Sequence, residues 1–399
     1  MHISKKAQVM KFSSVRKLLP FADAAEKNGI KVYKLNIGQP DVATPDSFFE
    51  GLHNFKDKVV KYADSKGLIQ LRETFSNNYK KSGIDFNTDE ILVTQGGSEA
   101  ITFVMLTICD EGDEILIPEP FYANYASFID IAGAKIVPIP TKIENGFHLP
   151  SREEIEKLIT PKTRGILYSN PGNPTGTVYT KNEIEMMGEV AKKNDLFIIA
   201  DEVYRDFIYD EEIKHVSPTN YKDLEDRTIV IDSISKHYSA CGARIGLIAS
   251  KNKELMNYLL KFCQSRLSAS MIDQVAAANL ANTDEHYVEN AKNIYKRRRD
   301  LLYKHLNSIP GVVSPKPEGA LYILVKLPVK DSEDFAKWIL TDYSYKNKTL
   351  LIAPGPGFYQ TEGLGRDQVR ISFCGSEDDI ENGMIVLKNA LDAYNKLKK

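Results

Sequence analysis

Residues 228–249 read TIVIDSISKHYSACGARIGLIA, two apolar runs separated by a serine-rich turn that carries Lys236 and Arg244. TIVID (228–232) and IGLIA (245–249) lack polar alternation, which marks strands buried on both faces. Five more runs of this kind precede them: ILVT (91–94), EILIP (114–118), KIVPI (135–139), GILYS (165–169) and LFIIA (196–200). Helical patterns such as SEAITFVMLTICDEGD (98–113) and KNEIEMMGEVAKKND (181–195) lie between several of them, with apolar residues three and four apart and capping-type starts. Alternating strands and helices predict an α/β fold whose core is a mostly parallel seven-stranded sheet covered on both faces.

The texture changes near residue 284. A long charged helix, DEHYVENAKNIYKRRRDLLYKHLNSI, is followed by GALYILVKL, a helix at SEDFAKWILTDY and the strand-like QVRISF, the pattern of a smaller α+β domain. The first 45 residues are too few to fold alone and are expected to pack on the C-terminal part. The expected division is a large domain at 46–283 and a small domain built from 1–45 and 284–399. Neither an internal repeat nor a Pro/Gly/Ser linker interrupts it.

At 399 residues the chain is too long for a single small binding module. Lys+Arg 52 against Asp+Glu 54 leaves a formal net charge of -2, so there is no global basic field for nucleic acid or an anionic membrane. Small molecules or other proteins are the expected partners. A hydrophobic fraction of 42% with 27% charged residues excludes the disordered and collagenous classes. Cys109, Cys241, Cys263 and Cys374 form neither C-x-x-C nor Cys/His pairs, so reduced thiols in the cytoplasm are expected, with no disulfide framework and no metal site. The start, MHISKKAQVMKFSSVRKLLP, is too interrupted by polar residues for a signal peptide, and no segment approaches a membrane span.

Ligands of a parallel sheet bind beyond the carboxyl ends of its strands. After ILVT comes TQGGSEA, in which Gly97, Ser98 and Glu99 open a helix and can turn backbone N–H groups toward an anion. An isolated Gly-Gly-Ser is explained equally well as a capped turn. After GILYS comes NPGNPTG (170–176), whose prolines fix an extended, turning backbone and leave Asn173 free to point into a site. After LFIIA comes Asp201-Glu202-Val203-Tyr204. A carboxylate at the end of a buried strand needs a cation or hydrogen-bond donors, unless it is merely a helix cap. After TIVID comes Lys236, flanked by small, polar or apolar residues with no compensating acid, a setting that can keep an amine partly deprotonated as a nucleophile. An anion nest, Ser233, Arg244, a buried lysine and a buried acid together make the inventory for pyridoxal 5'-phosphate.

NPGNPTG, DEVY and SISKHYSACGARIG, in that order and spacing, resemble the fold-type I pyridoxal-phosphate aminotransferases, in the class I group that includes aspartate aminotransferase. The resemblance runs from LNIGQPD near the start to QVRISF near the end. It implies that Lys236 carries the Schiff-base linkage and then shuttles the proton between substrate Cα and cofactor C4', that Asp201 keeps the ring nitrogen protonated, and that Asn173 and Tyr204 hold the 3'-oxygen. Tyr122 would stack on the ring, while Gly97, Ser98, Glu99, Ser233 and Arg244 would take the phosphate. Arg370 would bind the substrate α-carboxylate, against a plainer reading as a surface ion pair with Asp367 or Asp378. Gly38 would let substrate approach the backbone, and Tyr62 would cross to the phosphate of the second subunit in a homodimer with a shared site. Arg266 lies roughly where some dicarboxylate-specific relatives place a second arginine, though a structural ion pair explains it equally.

Aspartate with 2-oxoglutarate is the leading substrate pair. An aminotransferase for aromatic amino acids or alanine, or a C–S β-lyase of the same fold, shares the cofactor shell and differs on the substrate side. A nucleotide-dependent dehydrogenase would need a G-x-G-x-x-G after a strand, and there is none. A DNA-binding regulator would need an added segment for which the early motifs leave no room.

Overall fold

The computed structural model describes residues 1–10 and 12–397. β1 (Lys31–Lys34) precedes the strands of the main sheet, which are β2 (Ile91–Thr94), β3 (Glu114–Glu119), β4 (Lys135–Pro140), β5 (Thr163–Ser169), β6 (Phe197–Asp201), β7 (Thr228–Ser233) and β8 (Gly246–Ala249). They lie in the order β2-β8-β7-β6-β5-β3-β4. All seven apolar runs of the sequence are strands of this sheet, with ends shifted by at most two residues.

The pairs from β7 to β4 are parallel, and β8 alone runs against both of its neighbours. The cause is local. Residues 234–245 between β7 and β8 hold only two short helical turns, too little for the crossover that a parallel return requires. Side chains alternate across the sheet as the strand period demands. Ile198 and Ala200 of β6 join the core on one face with Ile166 and Met187, while Ile199 joins Leu167, Ile231 and Ile117 on the other. Both faces are dry, which is why these strands read as continuous apolar runs.

A second body of structure holds β9 (Tyr322–Lys326), β10 (Lys348–Leu351), β11 (Ala353–Pro354) and β12 (Gln368–Ser372). β11, β12 and β9 form an antiparallel sheet in that order, and β1 pairs in parallel with β10. Leu18, Ala22 and Val32 from the chain start share one core with Leu350, Leu387 and Leu391 near its end. β1 and β10 escape sequence reading because KVYK and KTLL are four residues long and carry polar ends.

Among the described residues no helix is long and apolar enough to cross a membrane. No cluster of three or more His, Cys, Asp or Glu among them could hold a metal ion.

Candidate active site

A cavity of about 590 Å³ opens at the carboxyl ends of β5, β6 and β7, where Ser169, Asp201 and Ser233 line it. Gly97 and Ser98 face it from the first turn of the helix Gly96–Ile108. Early N–H groups of a helix lack intrahelical partners and favour an anion. Arg244 lines the same end and packs over Gly96, where an added Cβ would come within 2.5 Å of its guanidinium. Gly96 also holds φ at 75°, so the glycine serves both the turn and the arginine.

Lys236 follows β7 on a single helical turn. Its Nζ donates to the carbonyl of Gly38 at 2.7 Å and lies 5.9 Å from the centre of the Tyr204 ring. Burial draws the ammonium pKa down, but the electrostatic pull of Tyr322, Cys241, Cys374 and Tyr122 outweighs it and leaves the group above its ordinary value. That direction runs against the partial deprotonation expected from the sequence. The acid nearest to it in sequence, Asp232, is engaged elsewhere. Asp232 Oδ1 lies 2.8 Å from His237 Nε2 and accepts from the Ser233 N–H at 2.7 Å, while His237 Nδ1 lies 2.6 Å from Asp206. Burial alone would lower His237, yet Asp232 and Asp206 raise it to about 9, so a buried ionic bridge braces the turn that carries Lys236.

Asp201 ends β6 with its side chain in the cavity. Tyr125 donates to its Oδ2 and the Val203 N–H to its Oδ1 at 3.4 Å. Burial nevertheless raises its pKa to about 6. A carboxylate so poor in compensation is matched to a cation facing it across the cavity, as a protonated pyridine nitrogen would be. Tyr204 is buried and raised well above 10 by desolvation first, so its hydroxyl, 2.9 Å from that of Tyr322, keeps its proton. Tyr122 lines the cavity with its hydroxyl accepting from Asn124 at 2.9 Å.

Arg370, on β12, is 3% exposed. Nη1 donates to Asn173 Oδ1 at 2.9 Å and Nη2 to the Asn36 carbonyl at 2.7 Å, while Nε has no partner. The guanidinium lies 4.3 Å from the ring centre of Tyr322 and 4.9 Å from that of Phe358. Neither Asp367 nor Asp378 pairs with it: Asp367 pairs with Lys326, and Asp378 accepts from Asn382. A buried, permanently charged fork answered only by neutral groups is prepared for a carboxylate.

Three residues marked by the sequence do not face this cavity. Glu99 turns its carboxylate to the Gln95 N–H at 2.8 Å and to Arg266 at 2.9 Å. Arg266 is thereby the structural ion-pair partner rather than a free cation, and its Nη2 also donates to the Val93 carbonyl at 3.2 Å. Tyr62 lies 77% exposed outside the cavity. At Gly38 the close approach is made within the chain, since a Cβ there would fall 2.0 Å from the Tyr322 hydroxyl.

Tyr322, Asn36, Ser235 and Arg16 belong to the site and escape sequence reading. Tyr322 sits in a strand-like run where a tyrosine reads as core, and Asn36 acts through its backbone carbonyl. Neither carries a local signal.

A pyridoxal phosphate fits these residues on three observations: the buried Asp201 without a cation, the N–H groups of Gly97 and Ser98 beside Arg244, and the lysine between them. When bound, the cofactor supplies an aldehyde that condenses with amines and a ring that accepts electron density from the substrate Cα.

The chain belongs to the class I and II aminotransferases, whose family model matches residues 30–387. It is a pyridoxal-phosphate-dependent transaminase acting on amino and 2-oxo acids. It is similar to a probable aspartate aminotransferase of Methanocaldococcus jannaschii, at 33% identity with 98% of this chain and 100% of the relative covered. An aromatic-amino-acid aminotransferase of Thermococcus litoralis is 32% identical, with 98% of each chain covered. The solved aspartate aminotransferase of Thermus thermophilus with maleate superposes with a TM-score of 0.89 at 27% identity, over 98% of this chain and 100% of that one.

Proposed function

We propose that the chain transfers the amino group of aspartate to 2-oxoglutarate. The observation that carries this reading is Arg370, a buried guanidinium without an acid beside the lysine-bearing cavity. Support for a dicarboxylate comes from the cationic lining of that cavity and from the aspartate aminotransferases among the relatives, one of them solved with maleate.

Position in the cavity supports the following roles. Gly97, Ser98, Ser233 and Arg244 hold the phosphate, and Asp201 faces the ring nitrogen. Asn173 and Tyr204 donate to the 3'-oxygen, with Tyr122 against the ring. Arg370 orients the α-carboxylate, and Lys236 moves the proton at the substrate Cα.

We further propose a large domain at 46–283 with a small one from both chain ends, supported by the β1–β10 pairing. A homodimer is supported by the exposed Val59, Val60 and Tyr62, an apolar run that a lone chain has no reason to present. The free thiols of all four cysteines favour the cytoplasm.

The test is a donor panel of Asp, Glu, Ala, Tyr, Phe and Lys with the cofactor-loaded protein, read as conversion of the bound aldehyde to its amine form. Fastest conversion by aspartate or glutamate is expected. A faster aromatic donor would contradict the dicarboxylate reading, and release of pyruvate and ammonia from a β-substituted donor would favour a lyase.

A further inference from the structure

Four cationic residues line the cavity, Arg16, Lys236, Arg244 and Arg370, against one acidic residue, Asp201. Cofactor and α-carboxylate account for all of these groups except Arg16. Asp201 answers the ring nitrogen, Lys236 the aldehyde carbon, Arg244 the phosphate and Arg370 the α-carboxylate. Among the described residues Arg16 has no ion pair, whereas its neighbour Lys17 is paired with Glu333. An arginine stays charged at any accessible pH, so a second substrate anion is the group it suits.

The backbone around Arg16 is held in place. The carbonyl of Ser13 accepts from the N–H groups of Arg16 and Lys17, both at 3.1 Å, closing a turn over the cavity mouth. Ser14 packs so tightly on Gly357 that a Cβ there would lie 2.2 Å from its own. The third fastening ties the turn to the α-carboxylate site itself. Asn36 donates through Nδ2 to the Val15 carbonyl at 3.0 Å and accepts through its own carbonyl from Arg370 at 2.7 Å. One residue therefore ties the turn that carries Arg16 to the Arg370 guanidinium. The other arginine considered for a side-chain carboxylate, Arg266, is neutralised by Glu99.

We propose that Arg16 is the specificity-determining residue for the second carboxylate of four- and five-carbon dicarboxylic amino and 2-oxo acids, provided within the same chain by the turn 13–18. This rests on the dicarboxylate reading above.

The test uses the full-length, cofactor-loaded protein in its amine form and compares kcat/KM for 2-oxoglutarate and pyruvate in the wild type, Arg16→Gln and Arg16→Lys. Arg16→Gln should lower the 2-oxoglutarate to pyruvate ratio by about 10- to 100-fold, the worth of a charge-assisted hydrogen-bonded pair, and Arg16→Lys should restore part of it. Equal losses for both acceptors would overturn the assignment, as would weakened cofactor binding with an unchanged ratio, which would place Arg16 on the phosphate. If the wild type prefers 2-oxoglutarate and Arg16→Gln keeps that preference, Arg16 alone is wrong. If the wild type itself prefers pyruvate, the dicarboxylate reading falls and this inference with it. Arg16 is exposed on a surface turn, so the variants are expected to fold.

Discussion

The helix end at Arg266 and the strand at Arg370 each take a guanidinium largely out of water, and they answer its charge in opposite ways. Arg266 meets the Glu99 carboxylate and two backbone carbonyls. Arg370 meets one amide oxygen and one carbonyl, with its Nε unanswered. A buried charge whose compensation is complete within the chain serves the fold, whereas one left incomplete awaits a ligand. Asp201 follows the second pattern with the opposite sign: only hydrogen-bond donors reach it, and burial raises it to about 6.

Substituting each residue separates the two cases. Arg370→Ala should lower kcat/KM for every amino donor by about 10²- to 10³-fold while cofactor binding, followed by visible absorption, persists. Unchanged kinetics would remove it from the α-carboxylate site. Arg266→Ala should do the reverse. Stranding Glu99 should cost about 2–3 kcal/mol of stability, discounted from the fully buried range because both side chains keep some exposure. Turnover per cofactor-loaded molecule should stay within about threefold of wild type, given that neither Arg266 nor Glu99 lines the cavity. A stable but inactive Arg266→Ala would show that the ion pair is not its role.

The last effect is a pH dependence of the cofactor-free protein. The folded pKa of Asp201 is raised, so the native state binds more protons than the unfolded state between about pH 4 and pH 6. Its contribution to stability is therefore lost as pH rises through that window. Asp201→Asn should flatten this part of the stability curve relative to wild type, as measured by denaturant unfolding. Loading the cofactor should do the same in the wild type, because the ring nitrogen then compensates the carboxylate. Identical curves for wild type and Asp201→Asn would mean that the carboxylate is already compensated.

The difference between the two regions also explains what can be read from the sequence. Ser233, Lys236 and Arg244 lie within one short stretch of chain, and Asp201 and Asn173 follow apolar runs that are unmistakable as buried strands. The cofactor side is legible because each residue sits beside its own structural signal. The substrate side is assembled by tertiary pairing. Arg16, Asn36 and Tyr322 come from distant parts of the chain, joined where β1 meets β10 and β12 meets β9. No local periodicity records those meetings, and the strands that make them are short. The same limit leaves Arg266 open between two roles in the sequence, since its partner Glu99 lies 167 residues away. The setting of Lys236 escapes sequence reading for a related reason: the carbonyl that accepts from its Nζ belongs to Gly38, 198 residues away.

Both regions derive their meaning from Lys236, the point on which the cavity converges. Borohydride reduction of the cofactor-loaded protein, followed by peptide mapping, tests that point directly. The cofactor should be fixed to the peptide containing Lys236, with no reducible adduct in Lys236→Ala. Labelling of another lysine, or an adduct that survives Lys236→Ala, would contradict the account.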